Sequence, residues 1–520
     1  MILRLLGPAQ AMFVAAIFVA ARASAAAPIK SIALNYRAHT SALNFAYGAD
    51  GNHGVQCETG VSVAADLASF GATLIRTHDA DAIDWTIYFP HPKLDVRTDD
   101  PANYNWTVAD AYFRGIVDAG FEPYLRLGTS WGTGPGGGLP PAGTPYNRSA
   151  LVDILLHTVM HFNDGWGGGG FVQKSVRYWE IWNGVAFCRA RCCVAGPFTH
   201  PNPQPLPSAA EPDDTCSFRK DAPPPACGRF WNRTAADFYD LADDAARAIK
   251  AYDAALIVGT TGVANVWWPA HNPFGFPLIA ELGRRGTPID FFSWHGYISD
   301  VSWYARTAAA VRAALDAAYP QRRVEMHVTE FFPCVLCDEQ DSAYGAAVMA
   351  STLATFASAG VTVASAYPLC TSGAGRTAKG WGLFDEVSVP GAAAWRPLTH
   401  AFALFGELAS TAPQLLGPIS VSPAEPSNYT VLAGRDARGS VLKMLLGVQQ
   451  STTTSVAVEV RGLGGGDGRP WSWDAVALNN SLHSPALVAG GVARPDATDV
   501  LRLAFPLAPP AVVLLRVQRV

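Results

Sequence analysis

The sequence predicts an α/β fold: a (β/α)8 barrel followed by an antiparallel β-sandwich. The first observation is the number of units: eight short apolar segments alternate with amphipathic helical segments up to about residue 410. Eight strand–helix units are the number that closes a barrel. The second is a change of pattern after residue 412, where apolar and polar residues alternate. The third is that no Gly-x-Gly-x-x-Gly motif follows the first strand, which argues against an open dinucleotide-binding sheet.

The N-terminus has the pattern of a signal peptide. Arg4 supplies a positive charge, residues 11–21 form an apolar stretch, and Ala23-Ser24-Ala25 fits a cleavage site. We expect residues 1–25 to be removed, leaving a protein that is secreted or held in the lumen of the secretory pathway without stable membrane insertion. An uncleaved N-terminal anchor is the alternative. Five Asn-x-Ser/Thr sequons suit a secreted glycoprotein: Asn105, Asn147, Asn232, Asn428 and Asn479.

Charge and cysteine content narrow the partners and cofactors. The net charge is −5 and no Lys/Arg cluster occurs, so no nucleic-acid partner is expected. Nine cysteines in an oxidising compartment predict disulfides, with Cys216–Cys227 and Cys334–Cys337 as plausible local bridges. Cys334-x-x-Cys337 lacks a second Cys/His pair at zinc-site spacing, so we expect no metal and no other cofactor.

The barrel is predicted over residues 30–410. Its strands are short, rich in β-branched or aromatic residues and bounded by turns. They are predicted at 42–48, 73–79, 123–130, 176–183, 255–261, 289–297, 324–331 and 361–369. Helices separate them, including one at 235–252 with Phe238, Leu241 and Ala245 on one face, and a last helix at 398–409.

Residues 412–520 are predicted to form the β-sandwich, an accessory domain. Runs starting at Tyr429, Ser440 and Thr454 alternate apolar with polar positions between Gly/Pro/Asp turns. We expect a structural role, in which the sandwich buttresses the barrel; sugar binding is the alternative.

The strand count places polar residues at one rim. Chemistry in this fold sits at the C-terminal ends of the strands. Asn183 ends strand four and Glu330 ends strand seven, whereas Glu180 lies three residues earlier and is expected inside the barrel. Further strand-end residues are His78, Asp79, His295 and Tyr297.

These strand ends resemble a known family. Tyr-Trp-Glu-Ile-Trp-Asn at 178–183 and Val-Thr-Glu at 328–330 are similar to the retaining glycoside hydrolases of clan A, and best to family 39, the β-xylosidases and α-L-iduronidases. The resemblance runs from about residue 40 to 410. Supporting stretches lie at 75–79, 123–128, 230–234 and 292–297.

The resemblance implies a reaction and residue roles. Glu330 would be the nucleophile that forms a covalent glycosyl-enzyme, and a second carboxyl about 5–5.5 Å away would act as acid and then base. His295 and Tyr297, on the same side of strand six, would hydrogen-bond Glu330 and the sugar; a packed aromatic pair is the alternative. The substrate would be an oligosaccharide or glycoside, contacted by His78 and Asn183 and stacked on Trp381. Lys379 and Arg376 would bind a uronic carboxylate, or are ordinary loop charges.

One departure from the family decides between function classes. The family has the acid/base Glu directly after the strand-four Asn, and here Gly184 follows Asn183. Skipping residues 184–210 restores Asn-Glu-Pro, with Glu211 as the candidate acid/base. The 27 residues of this anomalous insertion hold three cysteines and five prolines without helical or strand periodicity.

Two explanations of residues 184–210 stay open. They are a translated, unspliced intron, or a genuine loop, since closing a longer loop costs little extra entropy. The competing functions are a secreted retaining exo-glycosidase and a catalytically silent carbohydrate-binding barrel. An unrelated barrel enzyme is a third reading.

Overall fold

The computed structural model describes eleven stretches of the chain. They are residues 29–130, 138–140, 144–168, 176–184, 230–267, 272–333, 341–370, 382–386, 393–422, 428–463 and 469–520.

The first domain is a closed barrel of eight parallel strands, which confirms the predicted fold class. Strand eight pairs with both strand one and strand seven, so the sheet has no open edge. In order, the strands are Ala46–Asp50, Leu74–Arg76, Glu122–Leu127, Tyr178–Ile181, Ile257–Gly259, Phe291–Tyr297, Glu325–Phe332 and Val363–Ala366.

A helix follows each barrel strand. These helices are Ala64–Ser69, Thr107–Asp118, Arg148–Asp164, Ala235–Tyr252, Phe276–Arg285, Val301–Ala318, Ala343–Ala359 and Pro397–Thr411. Shorter helical turns, Asp81–Ile83, Trp85–Tyr88 and Pro101–Asn103, lie in the long connection after strand two, and a small hairpin, Phe384–Asp385 with Ala394–Trp395, follows strand eight.

The helix Ala235–Tyr252 shows how the sequence directs these elements. Thr234 and Asp237 form a reciprocal capping box that satisfies two N-terminal backbone donors. Phe238, Leu241 and Ala245 are buried, as the helical periodicity predicts. Local capping and the apolar stripe therefore agree on the same helix.

The second domain consists of two sheets packed around their own apolar core. Along one strand Val456, Val458 and Val460 are buried while the residues between them are not, which is the period of a strand with one face in the core. The strands after residue 412 are Gln414–Leu416, Ser420–Ser422, Tyr429–Arg435, Val441–Val448, Ser455–Arg461, Trp471–Asn479, Leu482–Ala493, Val500–Pro506 and Ala511–Arg519.

The N-terminal boundary differs from the prediction. Ile29–Asn35 pairs in parallel with Ser455–Arg461, and His39–Ala42 pairs with Gln414–Leu416, so both strands belong to the sandwich rather than to the barrel. The barrel begins at Ala46–Asp50 instead of the predicted 42–48. The reason is burial: Ile32 and Leu34 enter the sandwich core. The parallel pair also makes the sandwich mixed rather than wholly antiparallel.

The sandwich docks on the last two barrel helices. Glu407 accepts hydrogen bonds from Lys443 Nζ at 2.6 Å and from Arg516 at 2.6 and 2.7 Å. Gly447 lies so close to the helix Ala343–Ala359 that a Cβ there would fall 2.2 Å from Ser351 Oγ. The two domains therefore contact through a charged cluster and a close backbone approach.

A disulfide joins Cys57 and Cys370, which are 313 residues apart. It connects the loop after strand one to the end of strand eight, beside the hydrogen bond from Leu369 N to Asp50 O at 3.0 Å. The predicted bridges Cys216–Cys227 and Cys334–Cys337 lie outside the described residues, as does the predicted signal peptide. Among the helices described, none combines the length and apolar character needed to cross a membrane.

Candidate active site

The C-terminal end of strand seven holds a buried carboxylate. Glu330 is 5 % exposed and is contacted from strands two and six. Arg76 Nη1 lies 3.0 Å from Oε1, and His78 Nε2 lies 3.4 Å from the same oxygen. Tyr297 donates its phenolic hydrogen to Oε2, and His295 Nδ1 is 3.2 Å away. Both carboxylate oxygens are thus held, and the predicted residues His78, His295 and Tyr297 surround Glu330.

Beneath Glu330, the Arg76 side chain lies inside the barrel and hydrogen-bonds four other side chains. Its Nε donates to Glu180 at 2.8 Å, and its Nη1 to Asp50 at 3.1 Å as well as to Glu330. Its Nη2 donates to Asn183 Oδ1 at 2.6 Å. Ser293 Oγ donates to the other oxygen of Glu180 at 2.6 Å. Glu180 therefore lies inside the barrel and helps to hold the arginine.

One guanidinium cannot balance the charge of three carboxylates. Burial raises the pKa of Glu330 to about 7, although the Arg76 charge opposes this shift. Burial also raises the pKa of Asp50 well above its usual value, again against Arg76. Burial opposes the charge on Arg76 as well, but Glu180, Asp50 and Glu330 together raise its pKa well above its ordinary value. Arg76 consequently stays a permanent cation, and Asp50 and Glu330 keep their protons to higher pH than free carboxyl groups do.

The aromatic side chains around Glu330 are uncharged. Burial and the nearby Arg76 charge lower the pKa of His78 and His295 well below that of a free histidine. Burial and Glu330 raise the pKa of Tyr297 well above its usual range. The phenol of Tyr297 therefore stays protonated and donates a hydrogen bond to Glu330. A neutral His295 donates through Nδ1.

Asn183 is fixed at the end of strand four. Because its Oδ1 accepts from Arg76 Nη2, its amide nitrogen faces His78 Nε2, at 3.1 Å. The opposite amide orientation would set two donors against each other. The structure thus brings the predicted residues Asn183 and His78 together beside Glu330.

The position after Asn183 is shaped for glycine. Gly184 has φ +56°, and a Cβ there would fall 2.6 Å from the ring of Phe230. In this conformation the position cannot carry a glutamate. Trp182 Nε1 also donates to Phe230 O at 2.7 Å, so the residues that flank 185–229 meet at the end of strand four. Glu211, Trp381, Arg376 and Lys379 lie outside the described residues.

Two structural features of the site were not foreseen from the sequence. A Cβ on Gly262 would fall 2.3 Å from His295 Nε2 and 3.1 Å from Asn183 Oδ1, so this glycine lets strands four, five and six close around the site. It is one of 48 glycines, and no local signal marks it. Arg76 carried a usable signal, since an arginine inside the apolar strand Leu74–Arg76 requires buried acidic partners.

The fold is shared with solved glycosidase structures. A glucosidase from Croceicoccus marinus has a TM-score of 0.66 at 18% identity, covering 95% of this chain and 99% of its own. A GH39 enzyme from Xanthomonas axonopodis pv. citri has a TM-score of 0.62 at 16% identity, covering 96% and 99%. A monomeric β-xylosidase from Caulobacter crescentus CB15 has a TM-score of 0.62 at 15% identity, covering 94% and 99%.

No protein-family model and no curated protein sequence matches the chain. The solved structures above confirm the resemblance to glycoside hydrolase family 39 at the level of the fold.

Proposed function

We propose that the protein is a secreted retaining exo-glycosidase with β-xylosidase-like or α-L-iduronidase-like specificity. The observation that carries this proposal is Glu330, a carboxylate at the catalytic rim of the barrel whose two oxygens are held by Arg76, Tyr297 and His295. A nucleophile needs this fixed geometry, because small displacements of reacting atoms cost large factors in rate.

The chemistry follows from these contacts. Ionised Glu330 attacks the anomeric carbon as the leaving oxygen departs, which gives a covalent glycosyl-enzyme. As the carboxylate loses its charge, its hydrogen bonds to Arg76 and Tyr297 weaken, and they strengthen again as water releases the sugar. Glu211 is the proposed group that protonates the leaving oxygen and then takes a proton from water. Asn183 and His78 are proposed to contact sugar hydroxyls, and Trp381 to stack on the sugar ring.

Secretion is supported by three independent features. The N-terminal segment has the signal-peptide pattern, five sequons occur, and the Cys57–Cys370 disulfide suits an oxidising compartment. An epitope-tagged chain that remains unglycosylated and cell-associated would contradict this part of the proposal.

A second candidate function is a carbohydrate-binding barrel without turnover. It is favoured by Gly184, whose conformation and contact with Phe230 exclude an acid at the family's position. In that case Glu330 and its neighbours would bind sugar without cleaving it.

Leaving-group dependence separates these functions. A 2,4-dinitrophenyl glycoside needs little proton donation, whereas a disaccharide needs an acid. Hydrolysis of both substrates supports the complete enzyme, and hydrolysis of the activated substrate alone indicates a nucleophile without its acid. If neither is cleaved while sugar still binds, the binding function holds. Glu330→Gln is the control, since it must abolish any genuine turnover.

A further inference from the structure

The Nε2 nitrogen of His295 is a buried acceptor that lacks a donor. Nδ1 of this ring lies 3.2 Å from Glu330 and donates to it, so a neutral His295 carries its only ring proton there. Nε2 is then left with a lone pair, and among the described residues it has no hydrogen-bond partner. Because a buried acceptor without a donor costs free energy, this tautomer of His295 needs support from another group.

The hydroxyl of Thr329 is buried close by. Thr329 precedes Glu330 on strand seven, is fully buried, and its Oγ1 has no hydrogen-bond partner in the described part of the chain. The register of strands six and seven shifts here, since Trp294 lies opposite Val328 but His295 lies opposite Glu330. Thr329 is therefore the extra residue of a bulge, a feature that often redirects a side chain beside a functional site.

The two groups meet a third at Gly262. A Cβ at this glycine would lie 2.3 Å from His295 Nε2, 3.0 Å from Thr329 Oγ1 and 3.1 Å from Asn183 Oδ1. The threonine hydroxyl can donate, His295 Nε2 accepts, and Asn183 Oδ1 has a second lone pair beside the one that Arg76 uses. A buried water usually makes about three hydrogen bonds, and it can donate two of them and accept the third. One water therefore matches the donor and the two acceptors around Gly262.

We propose that Thr329 is a positioning residue, whose hydroxyl holds one buried water that donates to His295 Nε2 and to Asn183 Oδ1. The water keeps Nε2 an acceptor, so the single N–H of His295 is directed at Glu330 from Nδ1. Without the water, the Nε2–H tautomer can donate to Asn183 Oδ1 instead, and Glu330 loses a donor. This inference rests on the proposed function and deepens it, because it names a group that orients the nucleophile without contacting the sugar.

The test compares Thr329→Val, which removes the hydroxyl and keeps the shape of the side chain, with Thr329→Ser, which keeps the hydroxyl and removes a methyl group. The substrate is whichever 2,4-dinitrophenyl glycoside the wild type cleaves faster, the β-D-xyloside or the α-L-iduronide. In T329V, kcat/KM at pH 7 should fall roughly tenfold. The acid limb of its pH profile should move up by about one pH unit, since losing a hydrogen bond raises the pKa of an ionised carboxyl group. T329S should keep the wild-type profile.

Thr352→Val is the matched control. Thr352 is also buried with a hydroxyl that has no hydrogen-bond partner among the described residues, but it lies on the helix Ala343–Ala359, outside the barrel sheet. T352V should change neither the rate nor the pH profile. The other charged and titratable groups around Glu330 are the same in every variant: Arg76, His78, Tyr297, Asp50 and Asp79.

Crystal structures of the wild type and T329V give a second readout that needs no turnover. We expect one water within hydrogen-bond distance of Thr329 Oγ1, His295 Nε2 and Asn183 Oδ1 in the wild type. We expect no water at that place in T329V.

A wild type without this water overturns the inference and leaves the proposed function standing. The same holds for an active T329V with the wild-type rate and pH profile, and for a T329S that loses as much activity as T329V, because packing of the side chain would then explain the effect. A wild type that cleaves no glycoside contradicts the proposed function alone, and the two crystal structures then decide whether Thr329 holds the water.

Discussion

Arg76 Nη1 donates to Glu330 Oε1 at 3.0 Å from beneath the C-terminal rim of the barrel. The same nitrogen donates to Asp50 at 3.1 Å, so Glu330 and the buried Asp50 share one cation. This arrangement orients Glu330 but leaves it in a cluster with more acids than bases. Burial raises the pKa of Glu330 to about 7 against the charge of Arg76, and this shift has consequences for rate and for stability.

The first consequence is a pH dependence of the rate. Glu330 must be ionised to attack, so kcat/KM should rise with pH through about 7. A 2,4-dinitrophenyl glycoside is the substrate to use, because its cleavage needs no acid and the rise then reports the nucleophile. A rate that is flat between about pH 5 and 8 would contradict the raised pKa.

The second consequence is that Glu330→Gln should stabilise the fold at alkaline pH. The folded-state pKa of about 7 lies above the ordinary 4.5, so the stability from protonated Glu330 is complete below pH 4.5 and lost as pH rises through 7. A neutral glutamine avoids that loss. We expect a gain on the order of 2–3 kcal/mol near pH 8 that shrinks towards zero near pH 4, measured by thermal or urea unfolding.

Glu325→Gln is the control for this stability prediction. Glu325 lies on the same strand, and its hydrogen bond from His327 lowers its pKa, so the substitution should destabilise at neutral pH. An E330Q variant that is less stable than wild type at pH 8 would show that ionisation of Glu330 does not destabilise the fold.

Gly262 should be essential for the site geometry. In Gly262→Ala the new methyl group would lie 2.3 Å from His295 Nε2, so His295 must move away from Glu330. We expect a fall in kcat/KM of tenfold or more, with a stability loss of about 1–3 kcal/mol from overpacking.

Gly115→Ala is the matched control for Gly262→Ala. Gly115 lies in the helix Thr107–Asp118, and none of the described residues has a heavy atom within 4 Å of its Cβ position. It should gain about 0.5–1 kcal/mol in stability without a change in rate. Wild-type kinetics in G262A would contradict this prediction, because they would show that the space between strands four and six accommodates a methyl group.

Deleting residues 184–210 should restore the acid step. Trp182 and Phe230 are in contact, so the 19 remaining residues 211–229 need only close a loop between adjacent ends. Glu211 would then follow Asn183, and the Phe230 ring must shift to admit its side chain. We expect disaccharide hydrolysis to rise by about 10²–10⁴-fold, the usual worth of general acid catalysis, with little change on the activated aryl glycoside.

The same deletion carrying Glu211→Gln is the control and should lose the gain. A full-length chain that already cleaves disaccharides and loses this activity in E211Q would instead identify residues 184–210 as a genuine loop.

The sequence was sufficient for features with local signals. Strand and helix periodicity gave all eight barrel units, and the strand count placed Glu330, Asn183, His295 and Tyr297 at one rim. Each depended on residues close together in the chain, where burial patterns and turns are readable.

Non-local relationships were not predicted. Pairing of Cys57 with Cys370 depends on the closure of the barrel, and spacing alone cannot identify a bridge across 313 residues. The strand Ile29–Asn35 joins the sandwich because a sheet formed by residues beyond 412 buries it. Gly262 matters only through the side chains that three other strands bring to it.

Whether Glu330 is a glycosidase nucleophile is tested by mass spectrometry after incubation with 2,4-dinitrophenyl 2-deoxy-2-fluoro-β-D-xyloside. This reagent reacts with little acid assistance and leaves a slowly hydrolysed glycosyl-enzyme. We expect one added sugar, located on the peptide that contains Glu330 and missing in E330Q. Intact protein without label, or label on another residue, would contradict it.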